Sequence, residues 1–252
     1  MIAMRKAYFL AQSLLTRLPT PHLEDIQASD SGRSALFYPL VGLVIGLILY
    51  IPLFLFPNAP PILLAAIITV LWVIITGGLH LDGLADSADG WLGGMGNKEK
   101  TQKIMKDPLV GSAGVVAIAC LLLLKFAVLT AILQQTFHAS HEVIRSSAVI
   151  IIAPIIARAA ILLLFNTSHY AQKNGIAQDI IENLPKETAW IIMGACGLIG
   201  LYFSFWGVII ALAGFWLLRR LMYKTLDGFT GDTTGALVEI TEVLFLIGTV
   251  LL

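Results

Sequence analysis

ILLAAIITVLWVIITGGLHLDGLADSADG, residues 62–90, joins two kinds of sequence that rarely meet. From Ile62 to Leu79 no side chain carries a charge, and the run approaches the roughly 20 apolar residues a helix needs to cross about 30 Å of hydrocarbon. Asp82, Asp86 and Asp89 follow at once. Carboxylates at a membrane boundary are costly unless a cation, a partner charge or water compensates them. The stretch therefore sets a location, the membrane, and a chemistry, that of a clustered anionic site.

The rest of the chain agrees about the location. Over 252 residues it is 58% hydrophobic and only 13% charged, with a mean hydropathy of +0.86, which excludes an ordinary soluble domain. Further apolar runs cover about Ala35–Phe56, Leu109–Leu133 and Ser147–Phe165, and a last one covers Gly235–Leu252. Thr188–Leu218 is too long for one comfortable crossing and is divided near Ser204–Gly207. The expectation is one all-α, membrane-embedded domain over residues 1–252, with about seven spans. In front of these, Met4, Tyr8, Ala11, Leu14, Leu15 and Leu18 recur at helical spacing, as in a helix lying on the membrane surface. The N-terminus reads as having no cleavable signal. Cys120 and Cys196 lie in apolar runs and read as small core residues.

Seven spans predict alternating loops, and the basic residues test the alternation. Arg5, Lys6, Arg17, Arg33, Lys98, Lys100, Lys103, Lys106, Lys173, Lys186, Arg219, Arg220 and Lys224 fall on one side, 13 of the 16 in the chain. By the positive-inside rule that side is cytoplasmic, and both acidic motifs lie on it.

The acids point to metal and phosphate chemistry. Asp82, Asp86 and Asp89 share one face if the segment is helical. Mg²⁺, or Mn²⁺, favours such oxygen-rich sites and binds through a few carboxylates together with substrate phosphate oxygens. A second motif, Gly231-Asp232-Thr233-Thr234-Gly235-Ala236, precedes the last span, and Glu239 lies two turns inside it. The expected metal set is Asp82, Asp86, Asp89, Asp232 and Glu239. Arg158, centred in a span, reads equally as an ion-pair partner or a phosphate ligand. Lys125 reads as a snorkelling side chain. Lys106, beside the first motif, is a candidate phosphate contact, and His80 a candidate base. Gly42-x-x-x-Gly46 and Gly111–Gly114 read as close helix packing.

Gly77-Gly78-Leu79-His80-Leu81-Asp82-Gly83-Leu84-Ala85-Asp86-Ser87-Ala88-Asp89-Gly90 resembles the signature of the cobalamin synthase (adenosylcobinamide-GDP ribazoletransferase) family. Thr16-Arg17-Leu18-Pro19, Tyr38-Pro39-Leu40-Val41-Gly42, Lys106-Asp107-Pro108 and Thr230–Ala236 extend the likeness over nearly the whole chain. A departure falls at Gln172, where the family often has arginine. The resemblance implies a Mg²⁺-dependent enzyme of the cell (inner) membrane that joins adenosylcobinamide-GDP to α-ribazole or its 5′-phosphate, releasing GMP. It makes Asp82, Asp86, Asp89 and His80 the catalytic candidates, with Lys106, Asp107, Arg158 and Arg17 as substrate contacts. A carboxylate, His80 and the substrate itself remain alternative acceptors for the hydroxyl proton. Expected partners are the two substrates, membrane lipids, other cobalamin-assembly enzymes and a second copy of the chain, with no nucleic acid. The rival readings are a CDP-alcohol-type phosphotransferase and an ion-coupled transporter.

Overall fold

The computed structural model describes residues 2–138, 143–172 and 176–251, and among these the fold is helical with no strand. The first helix, α1 (Ile2–Leu15), turns Ala7, Ala11 and Leu15 inward and packs on α2 (Ala28–Ser34) and α3 (Tyr38–Leu55), while Met4 stays exposed. It is followed by α4 (Pro61–Thr76), α5 (Leu79–Gly94) and the short α6 (Lys98–Met105). Two long helices come next, α7 (Ser112–His138) and α8 (Val143–Thr167), then the short α9 (Ile176–Glu182). The chain closes with α10 (Lys186–Phe203), α11 (Phe205–Leu226) and α12 (Gly231–Leu251).

Five segments among the described residues are long and apolar enough to cross a membrane: Ala28–Leu55, Ser112–Thr136, Ser147–Thr167, Phe205–Leu226 and Gly231–Leu251. The α4–α5 pair makes a sixth when taken as one broken span. The seven expected crossings thus correspond to five or six qualifying segments. The shortfall lies with α4, only 16 residues long, and with α10, which opens on Lys186 and Glu187. The division at Ser204 is present, where an extended backbone ends α10 and the Ser204 hydroxyl caps α11 by accepting from the Gly207 N–H. Trp190, Trp206 and Trp216 point outward, as lipid-facing bulk does.

Lipid tails are as apolar as leucine, so membrane helices associate by close packing rather than by escape from water. Gly42 and Gly46 supply that closeness between α3 and α8: a Cβ on either would stand 2.5 Å from the Pro154 or Ile151 carbonyl oxygen. At the centre stands α12, packed against α5, α7, α8 and α11. A sharp corner ends α4. Gly77 and Gly78 both adopt left-handed backbone (φ 64° and 69°), a region closed to most L-residues, and α5 leaves at 88° to α4. The stretch after Leu79, polar in sequence, is therefore helical and runs across the end of the bundle.

Candidate active site

Where α5 crosses α12, two glycines let the backbones touch. A Cβ at Gly83 would lie 2.6 Å from the Asp232 carbonyl oxygen, and one at Gly235 would lie 3.2 Å from His80 Cα. The crossing brings the two acidic motifs together although about 150 residues separate them. Asp82 and Asp232 line one cavity of about 600 Å³, together with His80, Tyr38, Phe165 and Tyr170. Asp86 is half-buried one turn along α5, and the charges of Asp82, Asp232 and Asp89 all bear on it. Among the described residues none of Asp82, Asp86 and Asp232 has an ion-pair partner. Uncompensated carboxylates at this spacing repel, so the arrangement calls for a cation.

Among the described residues, however, no three His, Cys, Asp or Glu side chains are grouped closely enough to hold a metal by themselves. Mg²⁺ does not require such a cage; it usually takes one or two carboxylates and completes its shell with water and substrate phosphate. Asp82 and Asp232, which line one cavity, meet that requirement, with Asp86 one turn along α5.

Two members of the expected metal set have other work. Both Asp89 oxygens accept backbone N–H groups, from Gly111 at 2.7 Å and Gly114 at 2.9 Å. These belong to the start of α7, so Asp89 caps that helix and complements its positive end. Gly111 and Gly114 thus make room for a carboxylate, since a Cβ on either would strike it. Glu239 is sealed in the bundle, where its Oε2 accepts from Lys125 Nζ at 2.7 Å. Lys125 also reaches Glu242 at 2.8 Å, Arg158 Nη1 pairs with Glu242, and the Trp72 indole donates to the same carboxylate at 3.3 Å. Four helices meet in this cluster, and its two cations balance its two anions. Lys125 therefore does not snorkel, and Arg158 is an internal ion-pair partner in this structure. Sequence reasoning missed the cluster. Its signal was the pairing of Glu239 and Glu242, one turn apart, with two lone basic residues in other spans.

The remaining candidates divide by location. His80 is buried in the cavity wall, and its Nδ1 has no partner among the described residues. Lys106 and Asp107 are exposed. Asp107 Oδ1 accepts the Leu109 N–H at 3.0 Å and shares a second cavity, about 570 Å³, with Asp89. Arg17 binds the Gly77–Gly78 corner: its N–H donates to the Ile75 carbonyl at 2.8 Å and its aliphatic stem covers Gly77. Lys173 lies outside the described residues. Tyr170, on the loop before α9, completes the cavity; its burial, and then the Asp232 charge, push its phenol above the ordinary range.

A family model described as cobalamin-5-phosphate synthase matches residues 7–250. The chain belongs to that family. An adenosylcobinamide-GDP ribazoletransferase of Pseudomonas putida (strain W619) is 42% identical over 245 residues, covering 96% of this chain and 97% of the relative. Proteins of the same name from Acinetobacter baumannii and Pseudomonas entomophila are 42% identical over 239 residues and 41% identical over 249. The first of these alignments covers 93% of both chains, the second 97% of this chain and 98% of the relative. No solved structure matches the chain. Family membership removes the CDP-alcohol-type phosphotransferase and transporter readings.

Proposed function

We propose that this protein is an adenosylcobinamide-GDP ribazoletransferase. A hydroxyl of α-ribazole, or of its 5′-phosphate, attacks the cobinamide-side phosphorus of the pyrophosphate. The new P–O bond forms as the bond to the bridging oxygen breaks, and GMP leaves with that oxygen. The observation that carries the reading is the convergence of Asp82 and Asp232, unpaired by any cation among the described residues, on a cavity able to admit phosphate. Asp82, Asp86 and Asp232 are the residues that would hold Mg²⁺ or Mn²⁺. Such an ion, when bound, supplies neutralisation of the phosphate charge that grows during the displacement. The acids orient the pyrophosphate end of the donor, while the narrow α5–α12 crossing fixes their separation. His80, buried in the cavity wall with its Nδ1 unpartnered among the described residues, is the candidate to take the hydroxyl proton.

We further infer that this end of the bundle faces the cytoplasm, because the basic residues concentrate in the loops around it. Lys106 is exposed next to Asp107, which shares the second cavity with Asp89, and is the candidate to guide an anionic donor towards this end of the bundle. The test is GMP release by the purified protein in liposomes, given both substrates, with Mg²⁺ and then with excess chelator. Release that depends on both substrates and on the metal is the expected result; none with all three present overturns the reading.

A further inference from the structure

Apart from Asp82, Asp232 and His80, the described lining of the cavity has no ionisable side chain but tyrosine. Leu15, Tyr38, Ile161, Phe165 and Ile180 belong to it, and Gln172 is the polar side chain on the loop beside Tyr170. Tyr170 is only half-buried, with Phe229 behind it at 5.3 Å between ring centroids. Phe229 is fully buried and stacks on Phe165 at 5.6 Å, with only 19° between the planes; Phe165 in turn meets Tyr38 at 6.4 Å. The backbone is fixed as firmly as the rings. Ala171 N–H donates to the Phe229 carbonyl at 2.9 Å and Phe229 N–H to the His169 carbonyl at 3.0 Å, closing a parallel bridge between Tyr170 and Phe229. Phe229 lies three residues before Asp232. The aromatic surface and the phosphate-handling carboxylate are thus held in one rigid unit.

We propose that Tyr170 is the stacking face for the base of the incoming nucleoside and determines selectivity for α-ribazole. The proposal rests on the transferase reading above and names a subsite within it. Three planar bases are present in the two substrates: the guanine and the adenine of adenosylcobinamide-GDP and the base of α-ribazole. Guanine and adenine have polar groups around their edges, and each group would lose water against these apolar walls without a partner. The base of α-ribazole is an alkylated benzimidazole, whose edge is largely hydrocarbon and whose face suits an aromatic platform. The Tyr170 hydroxyl donates to Gln172 Oε1 at 3.3 Å, which holds the ring from its far end without hindering its face.

Steady-state kinetics of purified variants in liposomes, with each substrate varied in turn, test the assignment. Tyr170→Leu is expected to raise KM for α-ribazole about 10-fold, the size of effect that loss of base–aromatic stacking produces. KM for adenosylcobinamide-GDP should hold within about twofold on the same grounds, and Tyr170→Phe should restore the wild-type α-ribazole KM. In the wild-type protein, a riboside with a benzimidazole base should have a lower KM than one with a purine base, an arm that needs no variant to fold. A rise in KM for the corrinoid substrate instead, a Phe variant as impaired as Leu, or a purine riboside used as well as the benzimidazole one would each overturn the proposal. Absence of GMP release by the wild-type protein is a different outcome, because it removes the transferase reading itself.

Discussion

Asp82, Asp86, Asp89, Asp232 and Glu239 are alike in sequence, all acids at or near a membrane boundary, yet their partners sort them into three jobs. Among the described residues Asp82, Asp86 and Asp232 pair with no cationic side chain, and Asp82→Ala or Asp86→Ala is expected to abolish turnover while leaving insertion and the melting temperature in detergent close to wild type. Full activity in Asp86→Ala, or in excess chelator, would remove the metal from the mechanism. Glu239 behaves oppositely. Replacing Lys125 with Met leaves Glu239 buried without its cation, a change expected to destabilise the fold by about 3–5 kcal/mol. The double variant Lys125→Met/Glu239→Gln removes that bare charge and should recover part of the loss in a thermal melt. Among the described residues Arg158 engages Glu242 through Nη1 alone, so its fork is not in use there. A lysine there can make the same single contact, and Arg158→Lys should keep most of the wild-type turnover. A sharp fall at unchanged protein level would reassign Arg158 to phosphate.

At the level of elements, sequence gave the long helices more readily than their joints. The runs near Ala35–Phe56, Ser147–Phe165 and Gly235–Leu252 lie within a few residues of α3, α8 and α12 because apolar length is a local property. The direction of α5 is not local: it depends on two consecutive left-handed glycines, and polar residues after Leu79 suit a loop as well as a helix. Nor does helical spacing tell which of Asp82, Asp86 and Asp89 faces a cavity and which meets the Gly111 and Gly114 N–H groups. Those amides are more than 20 residues away. The α5–α12 crossing supplies a direct test. Gly83→Ala puts a Cβ 2.6 Å from the Asp232 carbonyl, so α5 must move off α12 and the carboxylates separate. A shift of about 1 Å at a reacting centre is enough for a roughly 100-fold loss of kcat. Among the described residues Gly78→Ala meets no atom within 4 Å, and it bears the strain of its positive φ. It should lower stability by about 1–2 kcal/mol and leave kcat nearly intact. Equal kinetic damage from both substitutions would mean that the backbone contact does not set the site.

Across the whole molecule, the two acidic motifs belong to one end of the bundle irrespective of how many segments cross the bilayer. Gly83 abuts Asp232, and Lys98 on α6 pairs with Asp227 in the turn before α12. Lys100 and Lys224 are exposed near this end, whereas Asn58 is exposed in the turn between α3 and α4, a full helix length from Tyr38 in the cavity wall. Such polarity matters for a reaction whose substrates are charged and water-soluble: the opening must face the compartment that contains them. The orientation proposed above makes that compartment the cytoplasm, since lysine and arginine are retained on the cytoplasmic side during insertion. Single cysteines at 58, 100 and 224, placed in a Cys120→Ser background because Cys120 is exposed, turn this into a labelling experiment. With an impermeant maleimide on intact spheroplasts, Asn58→Cys should react at once, while Lys100→Cys and Lys224→Cys should react only after permeabilisation. The reverse pattern would turn the active site outward, and reaction of Lys100→Cys and Lys224→Cys from opposite sides would break the shared end on which the site depends.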